Sequence, residues 1–130
     1  MLQEGGRVLV VEDNDDTRDV LVEALTAFGY RAIPADSYAT AVHIVDRHPV
    51  DAVLSDVLLR GEDGFALWRY AMRARPALPF IVMTADPNSL ERATANGLPV
   101  LKKPFGVRDV CTALDRIPRR YQGAASVQPL

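Results

Sequence analysis

Short apolar runs alternate with longer amphipathic segments along almost the whole chain, and this alternation limits the fold more than any other feature. Residues 7–11, Arg7-Val8-Leu9-Val10-Val11, are apolar and rich in valine, then stop at Glu12-Asp13. Such a run reads as a buried strand. Residues 14–28 place Val20, Leu21, Ala24, Leu25 and Phe28 at helical spacing on one face. Gly29 ends that helix, because glycine accepts the left-handed conformation needed just past a last turn. Residues 30–34 form a second, weaker strand. Ala41, Val42, Ile44 and Val45 mark a helix over 37–47, with Ser37 as N-cap and Pro49 as a break.

The second half repeats the pattern. Residues 51–55 are a third strand running into Asp56, and a loop with Gly61 and Asp63-Gly64 leads to a helix carrying Phe65, Leu67, Trp68, Ala71 and Met72. Phe80-Ile81-Val82-Met83 is a fourth strand, 87–96 a short and poorly apolar helix ended by Gly97, and 99–101 a fifth strand. Val107, Val110, Cys111, Leu114 and Ile117 define a last helix face, stopped by Pro118. Five strands alternating with five helices predict an α/β fold: a doubly wound, five-stranded parallel sheet with helices on both faces.

Composition removes other classes. The chain has 130 residues, 48% hydrophobic and 25% charged, as in ordinary globular domains. Lys+Arg is 15 against Asp+Glu 17, a net charge of −2, which gives no global attraction to nucleic acid or to an anionic membrane. The apolar runs are too short to span a bilayer, and the first residues lack a signal-peptide core. The single cysteine, Cys111, cannot form an internal disulfide. A reducing, cytoplasmic setting fits that count.

In an open parallel sheet, ligands sit outside the carboxyl ends of the strands. The residues there are Glu12 and Asp13 after the first strand, Asp56 after the third, Thr84 after the fourth, and Lys103-Pro104 after the fifth. Singly, each has an ordinary use: acids cap helices, an Asp ends a turn, a threonine ends a strand, a lysine is solvated. Jointly they gather three carboxylates at one edge. These repel one another and require counter-charge, from Lys103 and a divalent cation. The all-oxygen donors favour Mg²⁺. His43 and His48 lie in a helix and a helix-end turn, so a zinc site is not expected.

The ordered set Glu12-Asp13, Asp56 through Asp63-Gly64, Ile81-Val82-Met83-Thr84-Ala85 and Lys103-Pro104-Phe105 resembles the receiver domain of bacterial two-component response regulators. The resemblance spans roughly residues 6–118. It implies a flavodoxin-like strand order 2-1-3-4-5 and a receiver over 1–120, with 121–130 as a tail or truncated linker. Asp56 would accept a phosphoryl group from the phosphohistidine of a sensor histidine kinase or histidine phosphotransfer protein. Glu12, Asp13, Asp56 and the Leu58 carbonyl would hold Mg²⁺. Lys103 would pair with a phosphoryl oxygen, Thr84 would hydrogen-bond the group once formed, and Ala85 would leave room for it. The domain would be a switch that catalyses only its own phosphorylation and dephosphorylation. The family docks its partner on the first helix and the loop after strand five, here Asn14–Arg18 and Pro104–Gly106. A homodimer is an open alternative, and neither nucleic acid nor membrane is an expected partner.

The chain departs from the pattern in three places. Val100 replaces the usual Tyr or Phe, Arg60 stands where Pro is common, and the stretch from Thr84 to Lys103 is short by most of a helical turn. Two residues past site positions, Leu58 and Asp86 have two open readings: apolar Leu58 excludes attacking water and Asp86 orients it, or both are simply exposed loop residues. One rival reading is a haloacid dehalogenase-like phosphatase, through Asp13-x-Asp15-x-Thr17. It leaves Glu12 and Asp56 without a task and finds no acidic pair after Lys103. Another rival is a receiver-like interaction module that is never phosphorylated. No Gly-x-Gly-x-x-Gly follows the first strand, so a dinucleotide site is disfavoured. Arg116, Arg119 and Arg120 suit a helix C-terminus without invoking nucleic acid. The strand-helix units occupy about residues 7–117, which predicts a stand-alone receiver or one cut from a longer chain after Pro118.

Overall fold

A computed structural model describes residues 5–117. Pro118, Arg119, Arg120 and the expected tail lie outside the described residues. The elements run β1 (Arg7–Val11), α1 (Asp15–Ala27), β2 (Arg31–Ala35), α2 (Tyr38–Arg47), β3 (Ala52–Asp56), β4 (Leu58–Leu59), β5 (Glu62–Asp63), α3 (Gly64–Ala74), β6 (Phe80–Thr84), α4 (Pro87–Ala95), β7 (Val100–Lys102) and α5 (Val107–Asp115).

Alternation of side chains along each strand divides the apolar residues between two cores. Leu9, Val11, Val53 and Val82 face one side, where Ala41, Ile44 and Val45 of α2, Phe65, Leu67 and Ala71 of α3, and Ala93 of α4 cover them. Val8, Val10, Leu54, Ile81 and Met83 face the other, under Leu21 and Leu25 of α1 and Val110 and Leu114 of α5. Both faces are therefore apolar, which is why these strands read as continuous runs and not as alternating patterns.

The main sheet has the order β2-β1-β3-β6-β7, with every pairing parallel. Numbered without the small β4–β5 pair, this is the expected 2-1-3-4-5 order. Pro34 lies in β2, an edge strand, where its missing N–H does no harm to the ladder. The helices begin on polar caps. Asn14 accepts from Thr17 N, Ser37 from Thr40 N, Asp63 from Phe65 N and Ala66 N, and Asp86 from Ser89 N.

Three details differ from expectation. Asn14 caps α1 and is not part of it. Val20 and Phe28 are 59% and 54% exposed, so the apolar face of α1 is narrower than its spacing implied. The antiparallel β4–β5 ladder, turning at Arg60-Gly61, was not anticipated; Gly61 takes φ +73° there.

Gly64 opens α3 directly against the end of β3. A Cβ on it would collide with the Asp56 carbonyl oxygen and come within 2.9 Å of Val57 Cα. Gly61 has open space but a left-handed backbone. The two alanine variants should therefore separate. Gly64→Ala is expected to lose about 3 kcal/mol or more in urea unfolding, from backbone overlap. Gly61→Ala should lose only about 1 kcal/mol, from its backbone torsion alone. Equal small losses would show that the α3–β3 approach is not tight.

Candidate functional site

The parallel register brings the site together. Val11 pairs with Ser55, and Asp56 with Met83, so the residues ending β1, β3 and β6 emerge side by side. Glu12 continues the β1–β2 pairing, its N–H donating to Ala35 O at 3.0 Å. Lys103 follows β7, and its N–H donates to Thr84 O at 2.9 Å. Main-chain bonds thus set the positions from which Glu12 and Lys103 reach inward. The Lys103–Pro104 peptide bond is cis.

Oxygens of Glu12, Asp13 and Asp56 all lie within 4.8 Å of one another. Glu12, Asp56 and Thr84 are buried, at 1%, 8% and 3% exposure. Asp13 is half-buried. Lys103 Nζ bridges two of the carboxylates, donating to Asp56 Oδ2 at 2.7 Å and to Glu12 Oε1 at 3.1 Å. Asp56 Oδ1 accepts from Leu58 N at 3.0 Å, so the carboxylate is held from both sides. Thr84 Oγ1 accepts from Asp86 N at 3.1 Å.

Charge in this pocket is unbalanced. Burial, and then contact with Asp56, push the Glu12 carboxyl up to about 7 despite the nearby Lys103 ammonium. Burial alone would lower the Lys103 pKa, but its hydrogen bonds to Asp56 and Glu12 win and raise it, so it stays charged. Three carboxylates share one ammonium, and a divalent cation would complete the balance.

The structure gathers Glu12, Asp13, Asp56 and Lys103, with Thr84 at the neighbouring strand end. Leu58 contributes its N–H, while its side chain is 68% exposed. The Asp86 carboxylate caps α4, accepting from Ser89 N at 3.0 Å and Ser89 Oγ at 2.8 Å, so a structural task occupies it. Asp15, the second acid of the phosphatase reading, is 82% exposed and paired with Arg18. His43 and His48 are exposed, with rings 6.3 Å apart, and neither joins the carboxylate group. Sequence reasoning placed Arg18 only in the docking segment and missed that its Nη1 donates to Glu12 O at 2.8 Å. Its acidic neighbours in α1 disguise it as a surface ion pair.

The sequence profile of the response regulator receiver domain matches residues 8–115. The chain belongs to that family. The receiver is 31% identical to the response regulator receiver protein CpdR of Brucella abortus, over 85% of this chain and 95% of CpdR. It is 32% identical to the DNA-binding transcriptional regulator NtrC of Klebsiella pneumoniae, over 90% of this chain but only 26% of NtrC. Among solved structures it resembles the receiver domain of the sensor histidine kinase PA1611 of Pseudomonas aeruginosa. The TM-score is 0.80 at 29% identity, covering 87% of this chain and 97% of that one. That receiver holds a magnesium ion in its active-site cleft. A CheY-like receiver from Methanospirillum hungatei shares the fold, with TM-score 0.82 at 20% identity over 91% of this chain and 97% of that one. Among the described residues, no helix of the receiver is long and apolar enough to cross a membrane.

The raised Glu12 pKa gives a signed prediction. The folded protein holds this proton up to about pH 7, whereas the unfolded chain releases it near 4.5. The group therefore favours folding below the unfolded value, and that contribution is lost as pH rises through 7. In chelator-containing buffer, wild type is expected to lose up to a few kcal/mol more than Glu12→Gln between pH 5 and 8. Superimposable pH–stability curves for the two proteins would contradict this charge balance.

Proposed function

We propose that Asp56 is the phosphoacceptor of this receiver, charged by the phosphohistidine of a sensor histidine kinase or histidine phosphotransfer protein in a Mg²⁺-dependent reaction. The observation that carries this reading is the 2.7 Å bond from Lys103 Nζ to Asp56 Oδ2 inside a cluster of three acids. A carboxylate held from both sides, beside a fixed cation, suits attack on phosphorus. The Asp56 oxygen forms the new O–P bond, the N–P bond of the donor breaks, and its electron pair stays on the imidazole, which takes a proton from water.

The donor set fits Mg²⁺, since Glu12, Asp13, Asp56 and the Leu58 carbonyl are hard oxygens with a single ammonium among them. When bound, the ion neutralises charge on the phosphoryl oxygens. Lys103 adds a point charge on the same oxygens. The Thr84 hydroxyl accepts from Asp86 N, so its own proton is available to a phosphoryl oxygen. Ala85 adds little bulk beside it. The acyl phosphate then orders neighbouring loops through charge-assisted contacts, and a conformational change carries the signal. The domain would act as a switch and not as a turnover enzyme, in the cytoplasm, over residues 1–120. Its partner would dock across Asn14–Arg18 and Pro104–Gly106. The exposed Asp15, paired with Arg18, disfavours the phosphatase alternative.

Incubation with acetyl phosphate and Mg²⁺, read by intact mass, tests the proposal. Wild type should gain one phosphoryl group, Asp56→Ala none, and Lys103→Ala should react about 10²-fold more slowly. Chelation should stop the reaction. Steady phosphomonoester turnover, or an unchanged adduct in Asp56→Ala, would sink it.

A further inference from the structure

Glu12 and Asp13 lie in the short connection between β1 and α1. The main chain of that connection sets the direction in which both side chains point toward Asp56. Lys103 Nζ at 3.1 Å and Asn14 N at 3.5 Å hold the Glu12 carboxylate, and the main chain of the connection is held separately. The Glu12 N–H is bonded to Ala35 O, and Asn14 caps the helix that follows. The Glu12 carbonyl is held by Arg18, whose Nη1 donates to it at 2.8 Å. The second arm of the same guanidinium, Nη2, donates to Asp15 Oδ1 at 2.6 Å. One planar fork thus grips the connection at both ends: the last residue aligned with the strand, and the first residue of the helix. The Arg18 side chain is only 16% exposed, whereas Asp15 is 82% exposed. A solvated surface pair would leave both partners open; here the cation is folded inward onto a main-chain oxygen.

We propose that Arg18 is a positioning residue for the divalent-cation site, fixing the β1–α1 connection so that Glu12 and Asp13 converge on Asp56. This rests on the cation-binding reading above. Arg18 does not touch the cation; it acts through the Glu12 main chain. The geometry requires a fork, which lysine lacks, since its single ammonium cannot span the two acceptors in fixed directions.

Charge and position predict opposite signs, which makes the inference testable. A cation beside an acidic cluster weakens divalent binding, so if Arg18 acted by charge alone, its removal would tighten Mg²⁺. If it acts by position, removal weakens Mg²⁺, and so does a lysine that keeps the charge. The experiment is an amide chemical-shift titration with MgCl₂ on wild type, Arg18→Lys, Arg18→Gln and Asp15→Ala, each also unfolded in urea with and without Mg²⁺. Arg18→Lys and Arg18→Gln are expected to bind Mg²⁺ about tenfold or more weakly, as when other residues that orient ligands are lost. Asp15→Ala, which frees one arm only, should show a smaller loss. The Mg²⁺-induced rise in urea midpoint should shrink in step. A purely structural role would lower the midpoint in chelator but leave the Mg²⁺-induced rise and the affinity as in wild type. That result, or tighter binding by Arg18→Gln, would overturn the inference alone. A wild-type protein whose Glu12, Asp13 and Asp56 amides do not respond to Mg²⁺ would overturn both the inference and the cation-binding reading beneath it.

Discussion

One ammonium among three carboxylates is the contact on which the rest of the site depends. Lys103 Nζ reaches Asp56 Oδ2 and Glu12 Oε1 together, across 47 and 91 positions of sequence. Without it, two buried acids would stand against each other with no internal compensation, a costly arrangement. With it, the pocket is tolerable, although burial, and then Asp56, still hold the Glu12 carboxyl up at about 7. An acidic, oxygen-lined pocket of this kind would suit a small hard cation.

The fold serves this contact by register. Parallel pairing brings the strand ends into line, and main-chain bonds from Glu12 N to Ala35 O and from Lys103 N to Thr84 O carry that order one residue beyond the ladder. Gly64 allows α3 to start against the Asp56 carbonyl, where any side chain would intrude. Asp86 links the α4 cap to the Thr84 hydroxyl. Among the residues of α4, only Ala93 is buried, so polar contacts have more influence on this helix than on its neighbours.

Much of this was legible before any coordinates. Runs such as Val8–Val11 and Phe80–Met83 can be read because a strand buried on both faces must be apolar throughout. The residues of the candidate site, which the structure brings together, could be read because ligands collect at strand ends, and those ends are marked where apolar runs stop at Glu12, Asp56, Thr84 and Lys103. What stayed hidden depends on three-dimensional alignment. Val20 and Phe28 have helical spacing, yet α1 meets the sheet along a narrower stripe that excludes them. The β4–β5 ladder is two pairs long, too short to leave a pattern. Arg18 advertises its pairing with Asp15, but its second target is a main-chain carbonyl, which no side-chain spacing reveals. Gly64 looks like an ordinary turn glycine until the Asp56 carbonyl is seen beside it.

The most direct measurement locates the phosphoryl group chemically. Borohydride reduces an acyl phosphate on aspartate to the alcohol, which converts that residue to homoserine. Peptide sequencing after phosphorylation and reduction should find homoserine at position 56 and nowhere else. Homoserine at position 13, or an unreduced Asp56 in protein that carries phosphate, would contradict the account.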